Sequence, residues 1–110
     1  MFLLLTQKNQ RIMSQLEQKL KAFAEKQIQA FSVDLDENVN LSIGYYPEYG
    51  YIIADMIDIE RKHLLRAKLD SEIWEGPYAP VKLAIFTETI DELKKQYKKR
   101  FNNNFQSETA

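Results

Sequence analysis

The chain lacks cysteine altogether, and its 110 residues include only one histidine, one tryptophan and three glycines. Without cysteine there is no disulfide, no thiol nucleophile and no thiolate ligand for a metal ion. The single histidine, His63, cannot by itself supply the usual ligands of a zinc, copper or haem site. Three isolated glycines form no glycine-rich loop that could hold a phosphate. These shortages predict a protein without a cofactor, and they favour a reducing compartment, by default the cytoplasm.

Long apolar runs and an excess of one charge are also missing. The apolar run at residues 2–5 is followed, not preceded, by Lys8 and Arg11, so it predicts neither a signal peptide nor a membrane span. A net charge of −1 gives no general attraction to nucleic acid or to anionic lipid. The length predicts one domain. We expect a loose leader at residues 1–12, a single α+β domain at residues 13–102 and a disordered tail at residues 103–110.

The first predicted element is an amphipathic helix over residues 14–31. Ser14 and Glu17 have the spacing of a capping box, in which each side chain accepts a hydrogen bond from a backbone N–H of the other residue. Apolar residues then recur at intervals of three and four as far as Phe31, which is the period of a helix with one buried stripe. The acidic segment that follows, residues 32–38, is expected to be a loop.

The middle of the chain predicts a β-hairpin. Residues 39–46 alternate apolar and polar side chains, and residues 51–58 form a second apolar, β-branched run. Between them, Pro47 suits the start of a turn and Gly50 suits a positive φ. A four-residue loop sets the register by placing Tyr46 opposite Tyr51. One face of the hairpin is then wholly apolar and the other face is mixed.

The remainder of the chain is less uniform. Residues 59–75 alternate like a strand but could also form a helix that begins at Asp58 and ends before Gly76, and we favour the strand. Residues 81–86 predict a short strand, and a second capping box at Thr89 predicts the start of a terminal helix. The order α-β-β-(β or α)-β-α predicts an α+β fold, with an antiparallel sheet of three or four strands and both terminal helices on one face.

No combination of residues predicts catalysis. Asp55, Asp58 and Glu60 could supply a pair of carboxylates for acid and base chemistry, but Arg61 and Lys62 beside them favour ordinary ionised side chains. The Glu60-Arg61-Lys62 triplet resembles part of a metal-nuclease motif, which a chain with sixteen acids contains by chance. We therefore predict that the protein is not an enzyme.

Two surfaces are predicted to bind other molecules. The mixed face of the hairpin would bind a protein partner or a second copy of the chain, because tyrosine and isoleucine are typical of interface cores and are costly when left in water. Its residues are Tyr46, Tyr51, Ile53, Ile57 and Asp55. The alternative is a nucleic-acid site on the terminal helix, which carries five basic residues in its second half. These are Lys94, Lys95, Lys98, Lys99 and Arg100.

Overall fold

A computed structural model describes residues 14–102, which form a four-stranded antiparallel sheet with three helices. The leader predicted at residues 1–12 and the tail at residues 103–110 lie outside the described residues. The elements are α1 (Gln15–Ala24), β1 (Ala30–Asp34), β2 (Asn40–Tyr46), β3 (Tyr51–Asp58), β4 (His63–Asp70), α2 (Ser71–Glu75) and α3 (Ala79–Phe101). The strands lie in the order β1-β2-β3-β4, so each pairs with its neighbour in sequence. The predicted α+β class, with an antiparallel sheet of three or four strands, is confirmed.

One face of the sheet and the two long helices enclose the hydrophobic core. Phe23 of α1 and Phe86 of α3 are fully buried, with ring centroids 5.1 Å apart. They pack on the sheet residues Leu41 and Ile52, which are also fully buried. Both terminal helices therefore cover the same face, as the sequence predicts. Among residues 14–102, no helix is long and apolar enough to cross a membrane.

The β2–β3 hairpin has the predicted register. Tyr46 lies opposite Tyr51, and the pairing continues in step to Asn40 and Ile57. The backbone at Gly50 has φ +81°, a conformation that glycine adopts without the steric cost other residues meet there. The turn between the two strands therefore fixes which side chains of β2 and β3 reach the core.

Helix α1 is shorter than predicted, because it ends at Ala24 and residues 30–34 form strand β1. Its end is a Schellman motif, in which the N–H of Gln27 donates to the carbonyl of Ala22 (2.8 Å) and that of Lys26 to the carbonyl of Phe23 (3.1 Å). Lys26 takes the left-handed conformation, φ 63°, that this motif usually assigns to glycine. The missing glycine hides the helix end in the sequence. The prediction that the helix reaches Phe31, and that residues 32–38 are entirely a loop, is therefore wrong.

The ambiguous segment at residues 59–75 contains both a strand and a helix. Strand β4 continues the sheet on the outer side of β3, with Met56 opposite Leu65 and Ala54 opposite Ala67. The preference for a strand is thus confirmed for residues 63–70. Asp70 then caps the short helix α2 by accepting a hydrogen bond from the N–H of Glu72 at 2.8 Å.

Helix α3 begins ten residues before the predicted start at Thr89, and it includes the strand predicted at residues 81–86. Pro80 lies in its first turn, where proline is favoured because the first N–H groups of a helix have no intrahelical partner. Phe86 and Ile90 are buried one turn apart, whereas Val81 is exposed. Six alternating residues fit either a helix or a strand, and burial against the sheet decides for the helix. Thr89 caps nothing, since its hydroxyl donates to the carbonyl of Ile85 within the helix.

The two capping boxes in the sequence give a paired stability test. Ser14 forms both hydrogen bonds of the motif, so Ser14→Ala should lower the free energy of unfolding by about 1 kcal/mol. Thr89 lies inside a helix, where alanine is the better helix former, so Thr89→Ala should change that free energy by less than about 0.5 kcal/mol. Urea denaturation followed by circular dichroism measures both changes. An equal loss in the two variants would contradict the helix boundaries described above.

Candidate functional site

The face of the sheet opposite the core, which we call the open face, is not covered by any helix among residues 14–102. Register places its side chains in rows across the strands. One row contains Tyr46, Tyr51 and Asp70, and the third row beyond it contains Asn40, Ile57 and Leu64. Between these rows lie Ala30, Ser32, Ser42, Gly44, Ile53, Asp55, Arg66 and Lys68. Larger side chains at both ends therefore flank a central region that has small side chains on its β1–β2 side.

The two tyrosines are held in place on the open face. The ring of Tyr46 lies over Gly44, so closely that a β-carbon at Gly44 would stand only 2.7 Å from the Tyr46 hydroxyl oxygen. The Nζ of Lys68 lies 4.9 Å from the centroid of the Tyr51 ring, within the range of a cation–π contact. Tyr46 and Tyr51 remain 37% and 42% exposed. Both rings are thus oriented by neighbours and yet accessible to another molecule.

An ion pair occupies the centre of the open face. The guanidinium of Arg66 donates two hydrogen bonds to the carboxylate of Asp55, at 2.7 and 2.9 Å. The same hydrogen bonds, followed by the charge of Asp55, raise the pKa of Arg66 above its ordinary value. A bidentate pair of this kind fixes the orientation of both side chains. It gives the open face a polar centre between its aromatic and aliphatic ends.

The structure brings the predicted partner-binding residues together on this face. Tyr46, Tyr51, Ile53, Asp55 and Ile57 all project from it, and none is fully buried. Strand β4 contributes further residues to this surface that were not predicted for it: Leu64, Arg66, Lys68 and Asp70. The alternation of residues 63–70 was the signal that could have found them, once β4 was paired with β3.

The basic residues of the alternative site lie on the last turns of α3. Lys95, Lys98, Lys99 and Arg100 are exposed, and Lys94 is half-buried. The aromatic residues of this helix are engaged within the protein. Tyr97 is buried, and the Phe101 ring stacks on His63 with centroids 3.9 Å apart. This end of the helix therefore presents charge to a ligand without a ring for base stacking.

Asp58, one of the carboxylates considered for catalysis, has a structural role. Asp58 is buried at the end of β3 and accepts hydrogen bonds from the Arg61 backbone N–H (3.1 Å) and guanidinium (3.3 Å), which closes the β3–β4 turn. Glu60 is exposed within that turn and lies outside β3, so it does not pair with Asp58 on one strand. In the described part of the chain, no group of three or more acidic or histidine side chains could hold a metal ion.

A second concentration of polar groups surrounds Trp74 at one end of the core. The Trp74 ring stacks on Tyr45 with centroids 4.0 Å apart, and its Nε1–H donates to the carbonyl of Phe23 (3.0 Å). Lys82 is buried and donates to the carbonyl of Trp74 at 2.9 Å, and Lys26 donates to the carbonyl of Glu75 at 3.2 Å. Two lysines thus satisfy the final carbonyls of α2, where positive charge is favoured. Burial, and to a lesser degree the charge of Lys26, lowers the pKa of Lys82.

Tyr45 and Glu75 complete this second cluster. The Tyr45 hydroxyl donates a hydrogen bond to the carboxylate of Glu75. That bond, together with burial and the negative charges of Glu75 and Glu48, raises the pKa of Tyr45 to about 12. Every polar group of the cluster has a partner inside the protein. We therefore interpret it as the anchor of α2 and not as a binding site.

Comparison of the chain with models of protein families, with characterised proteins and with solved structures gives no match.

The pKa of Tyr45 predicts a dependence of stability on pH. A phenol whose pKa is raised on folding stabilises the protein fully below the ordinary value of 10.0, and this contribution is lost as pH rises through about 12. We expect wild type to be more stable than Tyr45→Phe near neutral pH, and the difference to shrink across that range. Denaturation of both proteins as a function of pH measures this difference in the free energy of unfolding. The contribution of Lys82 to it cancels, because both proteins contain Lys82. A difference that stays constant would contradict this assignment.

Proposed function

We propose that this protein is a small non-enzymatic interaction module that binds another protein through its open face, in the cytoplasm. The observation that carries the proposal is the accessibility of two oriented tyrosines on a sheet face that the described helices leave uncovered. Tyrosine is enriched at protein interfaces because it contributes a large apolar area together with a polar hydroxyl. The Asp55–Arg66 pair beside it offers hydrogen-bonding groups that can set the orientation of a partner.

The orientation of the two rings supports a binding role beyond their simple exposure. Binding costs free energy when flexible side chains become ordered, and a side chain that is already held avoids much of that cost. Gly44 leaves room for Tyr46 to lie across the sheet, and Lys68 holds the ring of Tyr51. Both rings are therefore partly ordered before any partner arrives.

The size of the open face favours a transient partner. Four strands about 4.8 Å apart, with up to eight residues rising about 3.3 Å each, span a projected area of about 500 Å². Stable specific interfaces bury about 800 Å² on each side, and weaker signalling contacts bury less. We therefore propose a partner that binds reversibly, and a second copy of the chain would use the same surface.

Substitution on the open face tests this proposal. Tyr46→Ala combined with Ile53→Ser removes one oriented ring and one apolar neighbour from the same surface. We expect the double variant to lose affinity for its partner by about tenfold or more, since aromatic anchors dominate interface energy. Quantitative pull-down from extract of the source cells measures hetero-association, and sedimentation velocity measures self-association.

The matched control is Tyr78→Ala, because Tyr78 is 70% exposed but lies outside the sheet, immediately before α3. This control should retain all binding. Circular dichroism and thermal unfolding should show that all three proteins fold. If wild type and the double variant retain the same partners and sediment alike, the open face is not the binding surface and the proposal fails.

The exposed lysines at the end of α3 support a second candidate function, which is binding to the phosphates of a nucleic acid. A basic cluster of this kind binds through counterion release, so affinity would fall steeply with salt. The basic residues concentrate at one end of the helix, and Glu88, Asp91 and Glu92 lie nearer its middle. The rings of Tyr97 and Phe101 pack within the protein and are not available to stack on bases. This candidate would therefore bind through phosphate contacts.

A salt titration separates this second candidate from the first. If five basic residues contact phosphates, the logarithm of the affinity for a labelled random DNA duplex should fall with the logarithm of salt with a slope of about −4.5. Replacing Lys95, Lys98 and Lys99 by glutamine should reduce the slope by about 3. Fluorescence anisotropy measures both values. Absence of binding at low salt, or a slope that the substitutions do not change, would exclude this candidate.

A further inference from the structure

A groove of about 540 Å³ runs between strand β4 and helix α3, beside the open face. Its volume is within the range of ligand-binding clefts in proteins. One wall is formed by residues 66–68 of β4, and the other by one side of α3. The side chains of Arg66 and Lys68 contact Asp55 and Tyr51 on the open face.

The wall formed by β4 is an edge of the sheet. Its hydrogen bonds alternate in direction, and the N–H of Ser71 donates to the carbonyl of Gly50 on the β3 side at 3.1 Å. In an antiparallel ladder, every second residue back from Ser71 also bonds to β3. The residues between them, Leu64, Arg66 and Lys68, therefore direct their backbone N–H and C=O groups away from β3. Among residues 14–102 no other strand pairs with these outward groups, because β4 is the last strand of the sheet. At eight residues, β4 is longer than the opposite edge strand β1, which has five.

The wall formed by α3 is acidic above an apolar floor. Glu88 and Glu92 lie one helical turn apart and both line the groove, as do Thr89 and Gln96. Ala67 and Leu93 supply apolar surface between the two walls. Glu88 has no ion-pair partner among the described residues, and Glu92 interacts with Lys95 at 3.8 Å on the same helix. A long side chain with a cationic end would place its stem on the floor and its charge beside these carboxylates.

We propose that β4 and the groove bind an extended, basic segment of another protein as a fifth strand of the sheet. The backbone of that segment would hydrogen-bond to the outward groups of Leu64, Arg66 and Lys68. Every second side chain would enter the groove, where lysine or arginine meets Glu88 and Glu92. The intervening side chains would lie beside Arg66 and Lys68 on the open face, where acidic or small polar residues fit best.

A second copy of this chain is a poor occupant of the edge. Antiparallel pairing of two β4 strands about Ala67 would place Arg66 opposite Lys68 of the other copy, and pairing about Arg66 or Lys68 would place identical basic residues opposite each other. The groove would receive the Leu65, Ala67 and Leu69 side chains of the copy, which carry no positive charge. The charges of the site therefore favour a different, basic strand.

A designed peptide tests the proposal. The probe is a labelled peptide of eight residues, the length of β4, in which every second residue is lysine and the residues between are glutamate and threonine. We expect it to bind in a fluorescence anisotropy assay. We also expect it to slow hydrogen exchange at the amides of Leu64, Arg66 and Lys68. A peptide of the same composition with its lysines contiguous, and the alternating peptide with N-methylated backbone, should bind at least about tenfold more weakly.

Variants on each wall of the groove complete the test. Glu88→Lys with Glu92→Lys should weaken binding of the alternating peptide by about tenfold, because two attractions become repulsions on an exposed surface. Lys68→Pro should abolish binding, because it removes an outward N–H but no hydrogen bond to β3. Lys68→Thr keeps that N–H and should bind within about threefold of wild type. Circular dichroism confirms that each variant is folded.

Several results would overturn the proposal. These are equal binding of the alternating and contiguous peptides, binding that leaves the three amides unprotected, or full affinity in the Glu88→Lys, Glu92→Lys variant. Protection of the three amides before peptide is added would mean that a second copy or the chain itself already occupies the edge, and it would also count against the proposal. The Tyr46→Ala, Ile53→Ser variant should bind the peptide normally. The proposal for the groove and the proposal for the open face can therefore be disproved independently.

Discussion

The register between β2 and β3 is the constraint on which the other contacts of this protein depend. A shift of β2 by one residue against β3 would turn Leu41 out of the core and turn Tyr46 into it, because neighbouring residues of a strand point to opposite faces. The four-residue turn with its positive φ at Gly50 prevents that shift. Strand β1 then pairs with β2, and β4 with β3, in register with this central hairpin. The covered face and the open face are both consequences of this single alignment.

Helix α2 contacts both the sheet and the long helices at the edge of the core. Its five residues are too few to be stable alone, and stability must come from tertiary contacts. Trp74 supplies these by stacking on Tyr45 and donating to Phe23, while Lys26 and Lys82 bond to the last carbonyls. A buried lysine is costly unless it has such a partner. The perturbed ionisable groups in this region are therefore explained by packing, without a reaction.

The two proposed binding surfaces belong to one sheet but differ in the physical basis of recognition. The open face presents side chains, with oriented tyrosines and a central ion pair, and would recognise shape and apolar area. The edge at β4 presents backbone groups beside the acidic residues of α3, and would recognise an extended chain with alternating charge. Lys68 takes part in both, because its side chain holds Tyr51 while its backbone faces the groove. The two surfaces are therefore adjacent along β4.

The sequence by itself determined the elements whose signals are local. The capping box at Ser14, the alternation of β2 and β3 and the turn between them depend on neighbouring residues, and each prediction is confirmed. The face that holds Tyr46 and Tyr51 follows from that register.

Tertiary structure alone decided the end of α1, because Lys26 occupies a position where glycine is the usual signal. It also made a helix of residues 81–86, because the helix buries Phe86 against Phe23, whereas the alternation of six residues fits either a helix or a strand. The ion pair of Asp55 with Arg66 and the groove beside β4 both depend on the pairing of β4 with β3. The sequence left β4 ambiguous between strand and helix, and no local pattern indicates which distant residues come into contact.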